Sequence, residues 1–97
     1  MKYEWDVAKN LANQQKHEVS FEQACLIFDG PIFSVTDTRF DYGEVRVLSV
    51  GLADELLILT VIHTDRHGNR RIISARRANR RERQVYEKSI EKGIKYR

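Results

Sequence analysis

With 97 residues the chain can bury one core and no more, which excludes a second domain. Its 41% apolar and 32% charged residues exclude an intrinsically disordered chain, and the lone Cys25 excludes an internal disulfide or a thiolate cluster for zinc. The net charge of +3 hides a segregation of sign: residues 1–65 carry −6 and residues 66–97 carry +9. A basic C-terminal third of this kind suits a phosphate backbone or an acidic protein as partner, and equally a solvated helix face.

The opening residues Met1-Lys2-Tyr3-Glu4-Trp5-Asp6 have no apolar core of a signal peptide. The longest apolar stretch, 56–62, is interrupted by Thr60 and falls far short of the ~20 residues that span a bilayer, so the expected location is the cytoplasm. A short strand is expected at 2–5. Asp6 then caps a helix that carries Val7, Ala8, Leu11 and Ala12 at helical spacing and ends near His17. Ser20-Phe21-Glu22-Gln23 has the form of a capping box and opens a second helix to about Phe28, with Phe21, Ala24, Cys25, Ile27 and Phe28 facing inward. Asp29-Gly30-Pro31 stops it, with Gly30 free to take a left-handed exit and Pro31 unable to continue a helix.

From Ile32 the apolar period becomes two, and four strands are expected, at 32–36, 44–52, 56–64 and 70–77. Short links at 53–55 and 65–69 make them an antiparallel meander. Residues 56–62 have almost no polar face and belong in a central strand covered on both sides. Asn79-Arg80-Arg81-Glu82 offers another capping box, for a basic helix that turns Val85, Tyr86 and Ile90 inward and ends at Gly93. The expected architecture is α+β: two N-terminal helices, a four-stranded antiparallel sheet and a basic C-terminal helix.

Three blocks of residues are distinctive together. The first is Tyr3-x-Trp5-Asp6-x-x-Lys9-x-x-x-Asn13-x-x-Lys16-His17-x-Val19-x-Phe21-x-x-Ala24. The second is Asp41-Tyr42-Gly43-Glu44-x-Arg46 with Gly51, and the third runs from Thr64-x-Arg66 through Arg71-Ile72-Ile73-Ser74-Ala75-Arg76-x-Ala78 to Glu82-Arg83-x-x-Tyr86. In this order, over residues 3–86, they resemble the BrnT toxins. The sequence departs from that pattern in one place, where Glu18 stands after Lys16-His17 in a position the family usually gives to Gly. A left-handed helix exit kept without Gly costs about 1 kcal/mol. The resemblance implies a RelE-like fold and inhibition of translation by RNA cleavage. It also implies neutralisation by a cognate antitoxin whose DNA-binding part represses the shared operon through operator DNA.

Cleavage by an internal 2′-hydroxyl needs a proton acceptor, cations for the charge on phosphorus and an acid for the leaving oxygen. Arg66, between two strands, and Arg76, near the end of the last strand, are candidate phosphate clamps because guanidinium matches phosphate oxygens two at a time. Arg80 is a third, placed where helix amides add positive potential. Glu44 is a candidate base, although nearby arginines would weaken it, and Lys16 and His17 can donate a proton or bind phosphate. Each has a structural alternative: Lys16 and His17 suit a helix C-terminus through the dipole, and Glu44 can simply pair with Arg46 or an arginine of a neighbouring strand. Arg70, Arg71, Arg77, Arg81 and Arg83 read as solvated or partner-facing, and Tyr3 and Trp5 as packing residues. His63 and His67 fall in a strand and its turn without a matching carboxylate pattern, so neither a metal nor any other cofactor is expected. The competing reading is a non-catalytic module that binds nucleic acid or sits in a repressor complex.

Overall fold

The computed structural model describes residues 1–95, with side-chain surroundings described as far as Lys92. In chain order the elements are β1 (Lys2–Glu4), α1 (Val7–His17), α2 (Phe21–Cys25) continued by a 3-10 turn (Leu26–Asp29), β2 (Ile32–Thr36), β3 (Val47–Asp54), β4 (Leu57–Arg66), β5 (Asn69–Arg77) and α3 (Arg80–Lys95). The fold is α+β, but the sheet has five strands in the order β1-β5-β4-β3-β2, not four. Strands β2 to β5 form the expected antiparallel meander, and β1 adds to its far edge in parallel with β5, pairing Tyr3 with Arg70. The sheet is therefore mixed.

Helix α1 begins as expected, the Asp6 side chain accepting from Lys9 N–H at 3.0 Å, yet it is buried on an unexpected face. Val7, Ala8, Leu11 and Ala12 are all exposed, and the buried residues are Asn10 and Asn13. Asn13 explains this. Its amide nitrogen donates to the carbonyls of Val19 and Ala75, each at 2.8 Å, and its oxygen accepts from Ala75 N–H at 3.2 Å. The side chain thus pairs with β5 as a strand would, beyond the point where β1 ends. Asn10 likewise accepts from Phe21 N–H at 2.8 Å and tethers α2.

The Ser20–Gln23 capping box is present, and Phe21, Ala24 and Ile27 drop into a core with Val19, Leu59, Val61, Ile72 and Ala75, against which Tyr3 and Trp5 pack. Gly30 is extended (φ −128°, ψ −168°), not left-handed, because the 3-10 turn has already closed with Gly30 N–H on the Ile27 carbonyl. The packing of this turn on β3 requires Gly51, where a Cβ would lie 2.8 Å from Ile27 Cβ. On the opposite face α3 packs on β2 and β3, joining Val50, Ala78 and Tyr86 into a second core edged by Phe33, Leu48, Ile58 and Ile90.

Strand β3 starts at Val47 and not at Glu44. The 65–69 link tightens to the two residues His67-Gly68, both left-handed (φ 50° and 79°), so Arg66 closes a strand and does not sit in a loop. Gly93 lies within α3, which runs to Lys95; a helix tolerates an internal Gly at a cost of about 1 kcal/mol.

Candidate active site

The end of α1 and the end of β5 meet in a cleft of about 420 Å³ lined by Gln15, Lys16, His17, Glu18, Arg76 and Arg77. Three of the six residues singled out from sequence chemistry, Lys16, His17 and Arg76, converge here. The local sequence builds one wall of the cleft: α1 stops at His17, and Glu18 turns the chain with φ 58° and ψ 27° while its N–H donates to the Gln14 carbonyl at 2.9 Å. A non-glycine residue in this left-handed region is strained, so the substitution seen in the sequence leaves a carboxylate at the mouth of a cationic cleft.

Arg76 does not stand free. Its guanidinium grips Glu82 with both arms, Nη1 to Oε1 at 2.7 Å and Nη2 to Oε2 at 2.9 Å. Glu82 also accepts from Thr60 Oγ1 at 3.0 Å and from Asn79 N–H at 2.9 Å, while Asn79 Oδ1 accepts from Glu82 N–H at 2.8 Å. Burial works against the Glu82 charge, but the bonds from Arg76, Asn79 and Thr60 outweigh it and hold the carboxyl below its ordinary range. This reciprocal cap answers the Glu82 amide in the first turn of α3. Arg80, exposed at the helix start, lines neither this cleft nor the next.

Glu44 and Arg66 meet elsewhere. Glu44 is held by the Arg66 guanidinium and by Arg46 Nε at 3.2 Å, and these bonds, Arg66's foremost, pull its carboxyl below the usual range. A carboxylate so held is a weak base. Together with Val45, Val47, Thr64 and Asp65 they line a second cleft of about 380 Å³. Arg76 pairs with Thr60 across the sheet and Arg66 lies six residues further along β4, which places the two clusters about 20 Å apart. The two-residue period puts Arg76 and Arg66 on the α3 side of the sheet, with partly exposed Ser74 and Arg71 between them, and Arg77 on the other side.

Sequence reasoning missed Glu18 and Arg77 as lining residues. The signal for Arg77 was its position beside Arg76 at a strand end, where consecutive residues can share a cleft. His63, dismissed as a ligand, is buried with Nε2 hydrogen-bonded to Ser49 Oγ at 2.7 Å and its ring edge on Phe28. Burial, and then Arg70, push its pKa down to about 4. Among the described residues no group of three or more His, Cys, Asp or Glu side chains could hold a metal ion. Nor is any described helix long and apolar enough to cross a membrane.

The sequence over residues 5–82 matches the family described as the ribonuclease toxin, BrnT, of type II toxin-antitoxin systems. The chain belongs to the BrnT family. Its fold is similar to the crystal structure of the Brucella abortus ribonuclease toxin BrnT, with a TM-score of 0.62 and 26% identity, covering 82% of this chain and 99% of that one. No curated protein matches the sequence. Membership in a type II system implies an antitoxin partner, and the BrnT toxins are ribonucleases.

Proposed function

We propose that this protein cleaves RNA without a metal ion, in the cleft between the end of α1 and the end of β5. The observation that carries the proposal is the convergence of Lys16 and His17 with Arg76 and Arg77, residues sixty positions away in sequence, on one opening. Arg77 and Lys16 hold the non-bridging oxygens of the scissile phosphate. Arg76, fixed by Glu82, presents its edge to the same group. His17 accepts the proton of the 2′-hydroxyl as that oxygen attacks phosphorus, the bond to the 5′-oxygen breaks, and the leaving oxygen takes a proton from Lys16 or solvent. The products are a 2′,3′-cyclic phosphate and a 5′-hydroxyl.

The consequence in the cell is inhibition of translation through loss of RNA. A cognate antitoxin with a DNA-binding domain neutralises the toxin and carries it to operator DNA. The helix-helix-sheet-helix order supports a RelE-like classification, and the place of action is the cytoplasm. Glu44, Arg66 and Arg80 contact RNA outside the reacting centre.

The test is cleavage of end-labelled RNA by purified protein in the presence of a chelator, for wild type, His17→Ala and Arg77→Ala. Cleavage that survives chelation, leaves cyclic-phosphate ends and falls by roughly a hundred-fold or more in His17→Ala supports the proposal. Undiminished cleavage in both variants moves the chemistry elsewhere. The non-catalytic reading gains from one observation, that Arg66 and Arg76 are each already paired with a carboxylate; it predicts salt-dependent RNA binding with no product.

A further inference from the structure

The loop between β2 and β3 is tied down by a buried carboxylate. Asp37 accepts from Arg39 N–H at 3.2 Å, Arg39 Nε at 2.9 Å, Arg39 Nη2 at 3.0 Å and Tyr42 OH at 3.2 Å, and its own N–H donates to the Arg46 carbonyl at 2.8 Å. So anchored, the loop holds Phe40 outward, 68% exposed and edge-on to Tyr42 with ring centroids 5.8 Å apart. The Arg46 guanidinium lies 4.0 Å from the Tyr42 ring centroid, and Arg46 shares Glu44 with Arg66. Phe40, Tyr42, Arg46, Glu44 and Arg66 are thus a continuous chain of contacts at the rim of the second cleft.

Phe40 fills no core, and the loop that presents it is fixed rather than slack. A fixed, exposed aromatic ring offers a π-face to any unstacked base, and the arginine-carboxylate-arginine triad beside it retains a net positive charge for phosphate. We propose that Phe40, with Arg46 and Arg66, forms a second RNA subsite in which an unpaired base stacks on the Phe40 ring while the two guanidiniums hold the adjoining phosphate. The subsite lies about 20 Å from Arg76 on the face of the sheet that Arg76 shares, so it engages a single strand several nucleotides from the scissile bond. It selects single-stranded over duplex RNA. This inference rests on the ribonuclease reading.

The test measures binding of 2′-O-methyl oligonucleotides, which cannot be cleaved, to wild type, Phe40→Ala and Phe40→Trp. One long oligonucleotide, single-stranded, can bridge both clusters, and the other probe is the same strand annealed to its complement. Phe40→Ala is expected to weaken the long oligonucleotide roughly five- to hundred-fold, Phe40→Trp to retain it, and the duplex to be indifferent to both. Equal affinity of Phe40→Ala and wild type for the long oligonucleotide overturns the subsite. So does a Phe40→Ala protein that binds RNA normally but loses its antitoxin, which assigns the ring to the protein partner. If wild type binds and cleaves while Phe40 is indifferent, only the subsite falls; if wild type does not bind RNA at all, the ribonuclease reading falls with it.

Discussion

Replacing Glu18 by Gly should make the protein more stable. Glu18 holds φ 58° and ψ 27° to end α1, a conformation that costs an L-residue about 1–2 kcal/mol. Glycine takes it freely but surrenders about 0.4–1 kcal/mol of extra backbone entropy on folding. The difference leaves Glu18→Gly more stable by about 0.5–1 kcal/mol, a rise in Tm of about 2–8 °C for a domain of this size. Glu18→Ala is the control, because it removes the same carboxylate from the cleft and keeps the strain. Thermal melts of the three proteins, at low and high salt, separate backbone from charge. If Ala stabilises as much as Gly, the effect is electrostatic and the strain argument is wrong; if Gly gives nothing, the turn relaxes in some other way. RNA binding should tighten in both variants, since each takes a negative charge from beside Lys16 and Arg77.

Two further outcomes follow from buried polar groups. Asn13→Ala leaves the N–H and carbonyl of Ala75 without their side-chain partner and should cost about 2–4 kcal/mol in urea titration, and Asn13→Asp should recover only the bond accepted from Ala75 N–H. His63 is neutral in the fold down to a pKa of about 4, below its ordinary 6.5, so between those values the unfolded chain binds a proton that the folded chain does not. Stability should therefore fall as pH drops through that window, with a slope of up to about 1.4 kcal/mol per pH unit, and His63→Gln should flatten it; an unchanged profile in that variant would refute the assignment.

The local signals in the sequence were legible because they are local. Both capping boxes, Ser20 with Gln23 and Asn79 with Glu82, form as the spacing predicts, and β2 and the central place of β4 follow from period and hydrophobicity. What escaped is what depends on distant partners. The three residues of β1 contain nothing that announces parallel pairing with β5. Helix α1 was misread because its buried face is made by Asn10 and Asn13, which satisfy backbone groups of α2 and β5, and a pattern of apolar residues is blind to that. The six candidate residues separate into two clusters and one outlier for the same reason: the pairings of Glu44 with Arg66 and of Arg76 with Glu82 depend on strand register and on the seat of α3. The type of residue needed was readable, and the grouping was not.

On the proposed function, the Asn13–Ala75 contact also bears on when the growing chain can first act on RNA. One wall of the proposed reacting cleft comes from residues 15–18, the other consists of Arg76 and Arg77, and the Asn13 amide, which also donates to the Val19 carbonyl, completes its bonding only at Ala75. A chain still growing on the ribosome, or one cut short before β5, has neither the wall nor the anchor. On the proposed function, RNA cleavage is thereby deferred until β5 has been made and has paired with α1.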